Sequence, residues 1–362
     1  MKITRRAVLG ATMGLSLCSP EFAVAQSTSD TVWHSGTEFL IEGKCWPNTS
    51  APYSRFRQQD KDSLSQSVWN LGLHSAGVRV RFKSDASRIW VRWSLTSSNL
   101  AMPHMPATGV SGVDLYVRAN DGKWSFVANG RPAQQDGNVA NFGAPAAGLQ
   151  DYALYLPLYN GTTSVEIGVK PTEKIAAAPA DPRKPIVYYG TSIAQGGCAS
   201  RPGLAYSNIL ARSLNRDVIN LGFSGSAMLE EGIARTIATT DPAVFVVDAL
   251  WNASSLPDAE LSRRIENFAR TLRSAHPNTP ILFVGQAMVH PTAEPTHSSQ
   301  LQQAVVLKLQ GEGMKGLHLL DGSKLYSGDG EGTVDGVHPN DHGMVEHAKG
   351  LLPSIKSLLC GK

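Results

Sequence analysis

The chain has 362 residues, 42% hydrophobic and 17% charged, with 34 Gly, 21 Pro and a formal net charge of +3. This composition excludes a disordered chain, a collagen-like fibre, a coiled coil and a disulfide-dense miniprotein, and the length predicts two domains with real cores. The charges are too evenly balanced for a nucleic-acid partner to be expected.

Residues 1–25 read as an export leader. Lys2, Arg5 and Arg6 precede an apolar run from Ala7, and Ala23-Val24-Ala25 supplies the small residues of a cleavage site. The run is too short to span a bilayer, so no stable membrane insertion is expected. Thr4-Arg5-Arg6-Ala7-Val8-Leu9 resembles a twin-arginine signal, which predicts a bacterial protein exported to the periplasm or beyond, with its mature start near Gln26. An ordinary secretory signal is the alternative. Cys18 leaves with the leader, and Cys45, Cys198 and Cys360 remain. Three thiols allow one intramolecular disulfide at most, and all three pairings stay open.

From 26 to 172 the chain reads as short strands. Gly77–Phe82, Arg88–Trp93, Asp114–Val117 and Ser164–Val169 alternate apolar and polar residues, with Gly, Asn and Asp turns between them. No amphipathic helix is predicted there, and a jelly-roll-like β-sandwich is the natural closure. Prolines mark 173–184 and its approach as a linker without regular pairing.

The remainder, 185–362, changes pattern. Continuous apolar runs begin at Pro185, Val218, Ala243, Ile281 and Leu317, and helical patterns over about 203–214, 229–238, 258–274, 298–311 and 341–359 alternate with them. Buried strands alternating with helices predict an α/β domain around a parallel sheet covered on both faces, whose chemistry belongs at the carboxyl ends of the strands.

Candidate chemistry stands at those ends. Gly190-Thr191-Ser192 follows the first strand, where a serine on a tight turn can be presented as a nucleophile; a plain glycine turn or a phosphate cradle is the alternative. Gly225, after the second strand, can bring a backbone N–H close to a substrate, and Asn252, after the third, can donate from its amide. Asp335 precedes His338 by three residues, so its carboxylate can fix the tautomer of that imidazole. Asn340 is placed to cap the last helix. A metal site on His338, His342 and His347 is the competing reading, disfavoured because Pro339 keeps His338 off the helix face.

Taken as a set, these residues resemble the blocks of the SGNH hydrolases, the GDSL-like serine esterases. Ser192 matches the first block, written here Gly-Thr-Ser; Gly225 matches the second, Asn252 the third, and Asp335 with His338 the fourth. The third block departs from the family pattern, since Ala253 follows Asn252. Gly112-Val113-Asp114-Leu115-Tyr116 resembles the Gly-x-Asp-Leu-Tyr signature of β-domains that precede such modules. The resemblance makes the α/β domain the three-layer, flavodoxin-like kind. It implies a Ser192–His338–Asp335 triad and an oxyanion hole from the Ser192 N–H, the Gly225 N–H and the Asn252 amide, with no cofactor. It also implies short acyl esters as substrates, here most naturally acetyl groups on carbohydrate. A lipid or other small ester is the first alternative, and a noncatalytic carbohydrate-binding protein on the same fold is the second. Met102, His104, Met105, Trp251 and Arg201 are candidate lining residues, with a purely structural role the favoured alternative for each.

Overall fold

The computed structural model describes residues 30–360 except 120, 145–147, 289, 291–293 and 327. The expected export leader lies outside the described residues.

The N-terminal part is built on two antiparallel sheets. Its strands are β1 (Val32–Ser35), β2 (Leu40–Glu42), β3 (Arg79–Ser84), β4 (Arg88–Leu95), β5 (Val113–Arg118), β6 (Trp124–Gly130), β7 (Asn138–Gly143), β8 (Gln150–Tyr155), β9 (Thr162–Val169) and β10 (Ile175–Ala177). One sheet has the order β1-β9-β4-β7; the other runs β10-β3-β8-β5-β6, with β2 also paired to β3. Inward-facing residues of both sheets, among them Val80, Phe82, Trp93, Leu115, Leu154 and Ile167, meet in one core. Each such side chain withdrawn from water contributes on the order of 1.5–3 kcal/mol.

Two features differ from the sequence expectation. A helix, α1 (Gln66–Gly72), does form in this half, burying Val68 and Trp69; two turns are too few for a helical period to register. Strand β10 lies within the stretch read as linker, paired with Phe82, Lys83 and Ser84 of β3. Pro171 and Pro179 flank this segment without entering it, so its N–H groups remain available to the ladder.

A single turn, α2 (Ala107–Val110), ends this half's helices. The second half then alternates β11 (Ile186–Gly190), α3 (Ser192–Gln195), α4 (Tyr206–Leu214), β12 (Val218–Gly222), α5 (Glu231–Ala238), β13 (Val244–Asp248), α6 (Leu250–Ala253), α7 (Asp258–Ala275), β14 (Ile281–Val284), α8 (His297–Gly311), β15 (Leu317–Leu320) and α9 (Asp341–Cys360). All strand pairs are parallel, in the order β12-β11-β13-β14-β15. Successive residues of each strand point to opposite faces. Val187, Tyr189, Phe245 and Phe283 therefore join one core with α5, α7 and α8. Ile186, Tyr188, Val246 and Leu282 join another with α4 and α9. The first of these cores also takes in Trp46, Phe56, Val68 and Trp69 from the chain between β2 and β3. The N-terminal half thus packs directly against the parallel-sheet domain.

Candidate active site

At the end of β11 the backbone turns in very little space. A Cβ at Gly190 would lie 2.6 Å from the Ala194 Cβ and 2.9 Å from the Asp248 carbonyl, so only glycine fits. Thr191 caps the single-turn α3 by accepting the Ile193 N–H, and Ser192 is the first helical residue. Gly196, at φ +109°, ends the turn in a conformation that side chains disfavour. Ser192 is thereby held at the mouth of the sheet.

The partner histidine arrives from the loop before α9. That loop is pinned by a Thr333–Pro339 bridge and by the Val334 N–H donating to the His338 carbonyl at 2.9 Å. Asn340 caps the helix as expected, its Oδ1 accepting the Gly343 N–H at 3.1 Å. The His338 Nε2 lies 2.8 Å from the Ser192 Oγ, and its Nδ1–H donates to the Asp335 Oδ2 at 2.7 Å. The other carboxylate oxygen accepts the N–H groups of Val337 (3.0 Å) and His338 (2.7 Å). Partial burial pushes the Asp335 carboxyl up, but these backbone and imidazole hydrogen bonds outweigh it and hold the pKa at about 2. A carboxylate fixed in this way keeps the proton on Nδ1 and leaves Nε2 free to accept from the serine.

Donors suited to a developing negative charge stand at the next strand ends. Gly225 follows β12 at φ +67°, and a Cβ built on it would meet nothing within 4 Å. Asn252, in α6, uses its Oδ1 to accept the Ala227 N–H at 3.1 Å. Its amide nitrogen has no protein acceptor among the described residues, and neither does the Gly225 N–H. The arrangement can carry a nucleophilic acyl transfer with proton relay.

The expected lining residues separate. His104 sits beside the Ser192–His338 pair, its ring centroid 5.9 Å from that of His338. It stands on a tight turn closed by the backbone bridge between Met102 and Met105. Met102 is partly buried, and Trp251 donates its indole N–H to the Ala287 carbonyl at 2.9 Å. Met105 is only 2% exposed and belongs to the core. Arg201 is committed to domain docking: it bonds Asp114 Oδ2 and the Tyr116 hydroxyl, both at 2.8 Å, and stacks over Phe126. For Met105 and Arg201 a lining role is corrected, the first by burial, the second by an ion pair with a fully buried carboxylate.

That pair also explains the N-terminal signature. Asp114 and Tyr116, two residues apart on β5, face the other domain; Asp114 additionally accepts the Gly203 N–H at 2.7 Å. Burial raises the Asp114 pKa, against the opposing pull of Arg201.

Residues that no spacing indicated surround the site. Gln195, fully buried, accepts the Ser224 N–H and donates to the Leu158 carbonyl and towards His74 Nδ1. Tyr159 donates its hydroxyl to the Ser192 carbonyl at 3.1 Å. Arg55 reaches the backbone carbonyls of Leu71, His74, Asn220 and Gly222. Burial holds Arg55 down at about 9, and burial together with the Arg55 charge holds His74 down at about 4. The histidines of the metal reading are dispersed: His342 pairs with Glu346, while His347 is buried against Tyr206 and Tyr326. Cys45, Cys198 and Cys360 are all free thiols.

Comparison with known proteins identifies the family. The model of the GDSL-like lipase/acylhydrolase family matches residues 183–356, and that of the N-terminus of SGNH-type esterases matches residues 31–175. No curated protein sequence matches the chain. Among solved structures, a GDSL-like lipase from Bacteroides ovatus is 30% identical, with 91% of this chain and 98% of that one covered and a TM-score of 0.81. A salicylyl-acyltransferase from a tetracycline biosynthetic pathway shares the fold at 17% identity and TM-score 0.76, with 91% and 98% covered. A family two carbohydrate esterase from Clostridium thermocellum, solved with cellohexaose, shares it at 15% identity and TM-score 0.57, with 78% and 93% covered. The chain belongs to the GDSL-like lipase/acylhydrolase family of SGNH hydrolases and is a carboxylic-ester hydrolase.

Proposed function

We propose that the protein is an exported serine esterase that removes short acyl groups, acetyl foremost, from the hydroxyls of a carbohydrate. The observation that carries this reading is the unbroken relay from the Ser192 hydroxyl through the His338 ring to Asp335, at 2.8 and 2.7 Å. Ser192 attacks the ester carbonyl while His338 takes its proton, and Asp335 balances the imidazolium that results. The N–H groups of Ser192 and Gly225 and the Asn252 amide receive the oxyanion. His338 then protonates the departing alcohol. Water repeats the sequence on the acyl-enzyme and releases the acid.

The small-acyl reading is supported by crowding beside the relay. A Cβ at Gly197 would lie 2.9 Å from the Tyr159 hydroxyl and 3.2 Å from the His338 ring, so backbone closes tightly around the nucleophile. Carbohydrate is supported by the fold shared with the family two carbohydrate esterases, and by the polar His104 beside His338. Export rests on the basic, apolar and small-residue succession of residues 1–25.

Acetate release from a panel of acetylated polysaccharides, set beside p-nitrophenyl esters of increasing chain length, tests the substrate. Release from one polymer with a preference for two-carbon acyl groups is the expected result. A preference for long chains, with no acetate released, would replace carbohydrate by lipid. An N-terminus near Gln26 in protein recovered from outside the cytoplasm tests export.

A further inference from the structure

A cleft of about 200 Å³ lies between the domains, at the end of the parallel sheet opposite Ser192. Asp217, immediately before β12, stands at its edge, whereas Ser192 follows the opposite, carboxyl end of β11. A five-residue strand rising about 3.3 Å per residue puts roughly 16 Å between the two ends. Ester hydrolysis as derived above uses none of its residues.

Six guanidinium groups line this cleft: Arg79, Arg81 and Arg118 from the sandwich, Arg183 from the linker, and Arg212 and Arg216 from α4 and the loop after it. Four carboxylates accompany them, and each is already engaged. Glu42 holds Arg79 at 2.7 Å and Arg81 at 3.1 Å. Asp217 holds Arg79 at 3.1 Å, Asp151 holds Arg81 at 2.7 Å, and Asp181 holds Arg183 at 2.5 Å. Among the described residues Arg212 and Arg216 have no carboxylate within 4 Å.

Their remaining contacts are few. Arg212 donates to the Gly203 carbonyl at 2.7 Å and lies over the Tyr116 ring; Arg216 donates to the Lys184 carbonyl at 2.7 Å. Burial, and then the neighbouring Arg183 charge, hold Arg216 below its ordinary pKa against the weaker opposing pull of Asp181, which is itself paired with Arg183. Arg79 Nη1, Arg81 Nε and Arg212 Nη1 are buried without a hydrogen-bond acceptor, and the Arg79 side chain is only 6% exposed. Buried cationic donors without acceptors are costly, so the cleft carries positive charge and N–H groups in excess of what the protein satisfies.

We propose that this interdomain cleft binds a doubly charged tetrahedral oxyanion, a phosphate or sulfate group, either free or carried on a sugar. Two negative charges match the excess of six guanidinium groups over four carboxylates, which falls on Arg212 and Arg216, the two without a carboxylate within 4 Å among the described residues, and the planar fork of arginine suits such oxygens. Because both domains and the linker contribute, the bound anion clamps the sandwich to α4.

Thermal unfolding of the full protein with inorganic phosphate, against sodium chloride at equal ionic strength, tests this. Saturating phosphate is expected to raise Tm saturably by roughly 5 °C. Arg212→Gln and Arg216→Gln are each expected to lose that rise while turning over p-nitrophenyl acetate as the parent does. Arg216, with one side-chain hydrogen bond to the protein, supplies the readout if Arg212→Gln does not fold. Glucose 6-phosphate separates the two sources: a rise with both anions supports an esterified ligand, and a rise with inorganic phosphate alone supports a free one. A rise that does not saturate, that chloride reproduces, or that both variants retain overturns the proposal; general salt exclusion acts alike on all three proteins.

Discussion

The Gln195 Oε1 accepts the N–H of Ser224 at 3.0 Å. Gly225, the next residue, carries a backbone donor of the proposed oxyanion hole, so this amide, together with the Ser226 N–H donating to the Phe223 carbonyl at 3.0 Å, holds the turn that aims it. Gln195 is itself held from the N-terminal domain, through the Leu158 carbonyl at 3.1 Å and His74 at 3.2 Å. Gln195→Ala is expected to lower kcat on p-nitrophenyl acetate roughly tenfold with KM changed less than about twofold, as loss of one transition-state contact demands. A raised KM with kcat intact would assign Gln195 to binding instead of positioning.

Substitutions at the relay and the oxyanion donors should differ in size. Ser192→Ala is expected to end labelling by a serine-directed fluorophosphonate and to reduce kcat by about 10⁵–10⁶. Asn252→Ala is expected to cost roughly 10²–10³ in kcat and to leave labelling intact but slower. Full activity in Ser192→Ala would move the nucleophile elsewhere.

His74 ties stability to pH. Burial beside Arg55 keeps its folded pKa at about 4, below the ordinary 6.5, so the unfolded chain binds the extra proton more readily. Its contribution is complete above pH 6.5 and is lost as pH falls through about 4, a change of at most about 3 kcal/mol. Urea unfolding at intervals from pH 7 to 4 should show this decline, and His74→Gln should flatten it. An unchanged slope in the variant would assign the decline to other groups.

The docking ion pair predicts a stability loss without a chemical one. Asp114 is fully buried, and Arg201, about one-fifth exposed, is its partner at 2.8 Å. Asp114→Ala leaves that guanidinium and the Gly203 N–H without their acceptor and is expected to cost about 3 kcal/mol in urea unfolding. Arg201→Ala strands the carboxylate and should cost as much or more.

The legible part of the molecule was the part in which local pattern and tertiary role coincide. Val244–Asp248, like β11, β12 and β14, is buried on both faces, and these read as strands because parallel-sheet strands covered on both faces have no polar side; β15, at an edge of the sheet, leaves Leu319 exposed. Ser192, Asn252, Asp335 and His338 stood out because strand ends concentrate chemistry in such sheets. The three-residue spacing from Asp335 to His338 carries its own geometry, a carboxylate and an imidazole on one turn. Gln195, Tyr159 and Arg55 carry no comparable spacing: Arg55 meets the Asn220 carbonyl across 165 residues, and a carbonyl leaves no mark in the sequence. The docking role of Arg201 leaves no mark for a related reason. Its partner lies 87 residues earlier, in a signature whose purpose shows only when both domains are seen together.

Arg55 donates to four main-chain oxygens, two beside α1 and two at the end of β12, and Phe223 lies under its guanidinium. The segment after Pro185 therefore depends on the half that precedes it for a buried donor. A recombinant that kept residues 185–362 and exchanged what precedes them would leave the Asn220 and Gly222 oxygens unsatisfied beneath the very loop that carries Gly225. The two halves are one structural unit although the chain folds into two.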